Sequence, residues 1–160
     1  MRSFGTPKKY DKAAAYARIA RYCAYQERSP KEVRDKLRSY GLTSQEVEEL
    51  TDRMIDENYL HEARFAEAYA GGKFRLKKWG RVRIRMGLRQ HGIADSLIEE
   101  SLAALDAVDY RATLQQLAQK KAASLTAEEP LLRKQKLVAY LLNKGYEPDL
   151  VWPLVETTLS

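Results

Sequence analysis

Three glycines, each closing the same short pattern, constrain this 160-residue chain more than any other feature. The segment Lys36-Leu37-Arg38-Ser39-Tyr40-Gly41-Leu42 is echoed by Gly87-Leu88-Arg89-Gln90-His91-Gly92-Ile93, and again by Leu141-Leu142-Asn143-Lys144-Gly145-Tyr146. Leu37, Leu88 and Leu141 fall in register, as do Gly41, Gly92 and Gly145. The glycines lie 51 and 53 residues apart (41 to 92, 92 to 145). A glycine followed by an apolar residue is a helix stop: it takes the left-handed conformation, and the next side chain folds back onto the last turn. Three stops in register predict three copies of one helical unit.

The first copy marks its own helix boundaries. Ser29-Pro30-Lys31-Glu32 and Thr43-Ser44-Gln45-Glu46 are both capping boxes, the first with proline at the opening helical position. Tyr16, Ile19 and Cys23 recur at helical spacing ahead of them, which predicts a first helix from about Asp11 to Glu27. Val33, Leu37 and Tyr40 supply the apolar stripe of the second helix, and Val47, Leu50 and Met54 that of the third.

A second unit follows a break at Asn58, with Phe65, Tyr69 and Leu76 on its first helix. Ile84 and Leu88 mark its second helix, after Gly80, and Ile98, Leu102 and Leu105 its third. In the last unit Asp109 is the expected cap of a helix carrying Tyr110, Leu114 and Leu117, and Ser124 to Pro130 reads as its loop. Pro148 suits a helix start, but Pro153 would then lie inside the helix, so a late start or a kink is expected. Gly71-Gly72 predicts a helical distortion.

The expected fold is therefore all-α: three tandem three-helix repeats, each helix-turn-helix-like. The units span 11–58, 59–106 and 107–160, behind a flexible basic tail at 1–10. Units of this size bury little alone and should dock on one another.

Composition excludes several classes. With 44% hydrophobic residues the chain is too apolar to stay disordered. The bases of Met1 to Lys12 are not followed by an apolar signal core, and no run approaches the ~20 apolar residues of a membrane span. A cytoplasmic, monomeric protein without membrane attachment is expected. Cys23 is the only cysteine, so no intramolecular disulfide and no thiolate metal cluster can form; it reads as a small core residue. His61 and His91 stand far apart, and neither a nucleophile motif nor a glycine-rich phosphate loop is present. No catalytic residue, metal or cofactor is expected.

The net charge of +6 is unevenly spread. Between Glu67 and Asp95 there is no acid but eight bases: Lys73, Arg75, Lys77, Lys78, Arg81, Arg83, Arg85 and Arg89. The rest of the chain carries 20 bases against 22 acids. On a helix starting near Gly80, Arg81, Arg85 and Arg89 form one stripe. Such a stripe suits phosphate or carboxylate equally, because the guanidinium fork donates two parallel hydrogen bonds to either. The alternative is a solvated face, or pairing with acids elsewhere such as those of the third helix. Trp79 either stacks on nucleobases or packs at a helix junction, while Tyr69 shares a core face with Phe65.

The ordered set Arg64-Phe65-Ala66-Glu67-Ala68-Tyr69, Lys77-Lys78-Trp79-Gly80, Ile84, Leu88 and Gly92-Ile93 resembles the RecX family of recombination regulators. Upstream, Ser29-Pro30-Lys31-Glu32-Val33 with Leu37 and Gly41-Leu42 is similar to that family's first repeat. The likeness runs from about Ala15 to Val155. At His61-Glu62 the chain keeps the family's acid but lacks its usual small neighbour, and the third copy matches more loosely. The resemblance implies a curved rod of three repeats that binds the RecA filament on DNA and inhibits it, with single- or double-stranded DNA as a secondary partner. A nucleic-acid-binding helical module that needs no RecA is the other reading.

Overall fold

The computed structural model describes residues 9–160, and among these the secondary structure is entirely helical. Helices α1 (Lys12–Tyr25), α2 (Pro30–Ser39) and α3 (Ser44–Asp56) form the first unit. Helices α4 (Glu62–Gly72), α5 (Arg81–Gln90) and α6 (Asp95–Ala103) form the second, and α7 (Ala107–Ser124), α8 (Pro130–Asn143) and α9 (Pro148–Leu159) the third. The expected tail lies outside the described residues up to position 8. Lys9 donates its N–H to the Tyr40 carbonyl at 2.8 Å, and the Tyr10 ring meets the Tyr40 ring edge-on. Among the described residues no helix is long and apolar enough to cross a membrane.

The repeat glycines do what their spacing demands. Gly41, Gly92 and Gly145 have φ of 79°, 74° and 101°, all left-handed. In the second copy Gly92 N–H donates to Arg89 O at 2.9 Å and Ile93 N–H to Leu88 O at 3.1 Å; Gly145 and Tyr146 repeat this pair on Leu142 O and Leu141 O. These bonds satisfy carbonyls that the helix end leaves without partners. Leu37, Leu88 and Leu141, on the core side of each of these helix ends, are fully buried. Removing the side chain of any of the three would cost about 2–5 kcal/mol.

Helix starts are set mainly by side chains. Ser29 and Thr43 form complete capping boxes with Glu32 and Glu46. In the third unit the cap is Asp106 rather than Asp109: its carboxylate accepts the Asp109 N–H, so α7 begins two residues before the expected cap. α9 starts at Pro148 without delay and runs through Pro153. Pro153 is the sixth helical residue, so its missing N–H strands only one carbonyl near the helix start.

The distortion expected at Gly71-Gly72 takes the form of a π-helical turn over Lys73–Lys77, ended by Lys78 at φ 60°. A π turn closes its hydrogen bonds over one extra residue, so the side chains beyond it lag behind α-helical phase. Leu76, expected in the core, lies inside this turn and is 82% exposed, while Phe74, four residues after buried Ala70, continues the buried face.

Burial divides the molecule unequally. The first unit closes its own core around Ile19, Leu37, Leu50 and Met54, with Leu60 beneath it. The second and third share one continuous core from Phe65 to Val155. At their seam the backbones nearly touch: Gly80 N–H donates to Lys144 O at 2.8 Å, and Val82 N–H to Gly145 O at 2.9 Å. A Cβ on Gly80 would lie 2.4 Å from the Gly145 carbonyl. The junction of the first and second units is instead polar. Arg64 Nε donates to Glu27 at 3.1 Å, and Ser29 Oγ meets His91 Nδ1 at 3.3 Å.

Candidate interaction surface

The eight clustered bases are sorted by the fold into two settings. A turn of 3.6 residues places Arg81, Arg85 and Arg89 in one stripe of α5, beside buried Ile84 and Leu88. Docking then supplies each with a carboxylate. Arg81 Nη1 lies 2.8 Å from Glu147 of the third unit, Arg85 Nε 2.8 Å from Glu99, and Arg89 Nε 3.5 Å from Asp95, the last two on α6. The hydrogen bond from Arg85 holds the Glu99 carboxyl below the usual carboxylate range. Most of the stripe's charge is thereby compensated within the molecule.

Arg81 is built into the seam more deeply than its neighbours. α5 has no side-chain cap of its own, and its first N–H groups are satisfied from the third unit. The Arg81 N–H donates to the Tyr110 hydroxyl at 2.9 Å, and that hydroxyl donates in turn to Glu147. The Arg81 guanidinium also lies 3.8 Å from the Tyr110 ring centroid. The Tyr146 hydroxyl donates to Lys78 O at 2.9 Å. Burial, reinforced for Tyr110 by the bond to Glu147, pushes the Tyr110 hydroxyl far above the ordinary tyrosine range; burial does the same at Tyr146.

Lys73, Arg75, Lys77, Lys78 and Arg83 form no ion pair with a described carboxylate. Arg75, Lys77, Lys78 and Arg83 are exposed. Trp79 is half-buried against the shared core, with Lys73 Nζ 4.9 Å and Arg83 Cζ 4.3 Å from its ring centroid. It therefore occupies a junction and holds two cations, each such contact contributing about 0.5–1 kcal/mol at an exposed site. Leu76, Val82 and Met86 are exposed on the same unit. Free cations among exposed apolar side chains suit an anionic partner that also offers apolar surface.

The histidines are placed structurally. His61 caps α4, its Nδ1 accepting the Arg64 N–H at 3.1 Å, and His91 stands at the first junction near Glu32. Tyr69 packs with Phe65 and His91 in an aromatic group. Cys23 is buried, which pushes its thiol up to about 11. Among the described residues no three His, Cys, Asp or Glu side chains are placed to hold a metal ion. Sequence reasoning missed the partners Glu147, Glu99 and Glu27 because each lies 14 to 66 residues from its arginine. The seam glycine Gly80 had one signal, a helix start without a capping side chain.

Three family models match the chain in order: the first three-helix domain of RecX over residues 15–54, the second over 62–102 and the third over 109–155. The chain is 32% identical over 135 residues to the regulatory protein RecX of Clostridium tetani, covering 83% of this chain and 60% of that one. It is 29% identical over 150 residues to the RecX of Prosthecochloris aestuarii, covering 94% and 97%. It thus spans about three fifths of the clostridial relative and nearly all of the other. The crystal structure of RecX from Lactobacillus salivarius superimposes with a TM-score of 0.81 at 25% identity, over 92% of this chain and 96% of that one.

Proposed function

Because the chain belongs to the RecX family, we propose that it regulates the RecA recombinase, binding the RecA filament on DNA and inhibiting it without catalysing a reaction. The observation that carries this reading is the ordered match of all three family domains between residues 15 and 155. Physical chemistry adds a surface. The uncompensated Lys73, Arg75, Lys77, Lys78 and Arg83, with exposed Leu76, Val82 and Met86 nearby in sequence, suit an acidic protein groove or the DNA it holds. Arg81, Arg85 and Arg89 support that surface, with Arg81 fixing the second unit on the third. Three linked units can contact several RecA protomers at once, so modest contacts add through effective concentration. Such a regulator works as a monomer in the cytoplasm, where RecA and DNA are found.

The test is RecA-dependent ATP hydrolysis on single-stranded DNA. The protein is expected to slow it, and the triple variant Arg75→Glu, Lys77→Glu, Lys78→Glu to need at least about tenfold more protein for half-inhibition, as expected of reversed interfacial charges. These side chains are exposed and pair with no described acid, so the variant keeps its fold. Unchanged hydrolysis at saturating wild-type protein refutes the regulator reading. Full inhibition by the variant refutes the surface.

A further inference from the structure

We propose that the first unit carries a second binding site, a basic and aromatic groove between α1 and α2 that takes a segment of single-stranded nucleic acid. It is separate from the middle-unit surface and needs no RecA.

The groove is a shallow, open depression of about 310 Å³. Arg18, Arg21, Arg28 and Lys36 supply its charge, and Tyr22, Tyr25 and Tyr40 its apolar walls. Not one acidic side chain lines it. None of the four cations forms an ion pair with a described carboxylate, in contrast to the α5 stripe, where every arginine does. Glu32 and Asp35 act on the Tyr22 wall from outside the lining, yet none of the four cations is paired with either, and an anion entering the concavity lowers the repulsion among them.

Part of the groove is already fixed. Arg28 Cζ lies 3.7 Å from the Tyr22 ring centroid, and its Nε donates to Tyr22 O at 2.9 Å. Its two terminal nitrogens bond no described residue, and the stacked guanidinium has little rotamer freedom left to lose on binding. Arg18 is held over Tyr10, which in turn packs on Tyr40.

Tyr25 decides between the kinds of anion. It is 83% exposed at the last position of α1, with the Arg28 guanidinium 5.9 Å from its ring. Arg18, Arg21 and Tyr25 fall on one side of α1, so two guanidiniums lead toward the exposed ring over roughly 10 Å of helix. Phosphates on the arginines and a base on the ring use both features together, as single-strand sites do. A carboxylate-rich peptide uses only the charges. A duplex hides its base faces from the ring.

The experiment is fluorescence anisotropy of the full chain with a labelled oligothymidylate of about 15 nucleotides and no RecA, across a salt series. Wild-type protein is expected to bind, with affinity falling as salt rises. Arg18→Gln with Arg21→Gln should lower the slope of log affinity against log salt by about 1.4, the loss of two single-strand phosphate contacts. Tyr25→Ala should weaken binding about tenfold with the slope unchanged, and Tyr25→Phe should bind as wild type, because stacking needs the ring and not the hydroxyl. All three side chains are exposed, so the variants fold. Unchanged affinity in Tyr25→Ala, or an unchanged slope in the double variant, overturns the proposal. So does displacement of the oligonucleotide by poly-glutamate at equal charge, or equal Tyr25 dependence on a duplex. Because RecA is absent, any of these leaves the regulator reading standing.

Discussion

Gly145→Ala is expected to damage the protein far more than Gly92→Ala, although both glycines end equivalent helices in left-handed geometry. A side chain at φ 74° or 101° costs about 1–2 kcal/mol in either place. Around Gly92 a new Cβ meets nothing within 4 Å, so the strain is the whole effect. At Gly145 the Cβ would come 2.4 Å from Arg83 Cβ and 2.7 Å from Arg83 N. These atoms belong to the start of α5 and cannot rotate away. The seam must open, which adds about 1–3 kcal/mol of overpacking and loosens the bonds from Gly80 and Val82. In a chain of this size 1 kcal/mol moves the melting midpoint by about 2–4 °C, so Gly92→Ala should lower it by about 5 °C and Gly145→Ala by about 10 °C. Circular dichroism melts read the difference. Amide exchange locates it: the Gly80 and Val82 amides should lose protection in Gly145→Ala and keep it in Gly92→Ala. Equal melting losses, or unchanged exchange at those two amides, would refute the seam as the cause.

Stability should fall at alkaline pH. Tyr110 and Tyr146 have hydroxyls raised above the ordinary value of 10.0, so the stabilisation they give is complete below pH 10 and is lost as the unfolded chain ionises above it. Urea midpoints between pH 8 and pH 11 should show this decline, and Tyr146→Phe should make it shallower; an identical slope in that variant counts against the assignment. Cys23, whose thiol burial raises to about 11, should react with a thiol reagent at pH 8 only as fast as the first unit opens. Rapid labelling of the native protein would contradict its place in that core.

The sequence by itself determined whatever depends on neighbours along the chain. Helix hydrogen bonds reach only four residues, so the three left-handed glycines, the capping boxes at Ser29 and Thr43 and the apolar stripes ending at Leu37, Leu88 and Leu141 could all be read in advance. The ordering of those units, and the basic run in the middle one, were legible for the same reason. The tertiary structure decided everything that depends on residues meeting from afar. Counting charges along the chain singled out Arg81, Arg85 and Arg89, yet folding brings a carboxylate to each and leaves Lys73, Arg75, Lys77, Lys78 and Arg83 uncompensated. The π turn that carries exposed Leu76 has only Gly71-Gly72 as a local sign. The groove of the first unit was invisible for the opposite reason. Arg18 and Arg21 stand apart from Arg28 and Lys36, which neighbour Glu27, Glu32 and Asp35 in sequence, and only the docking of α1 on α2 gathers the four around one exposed ring.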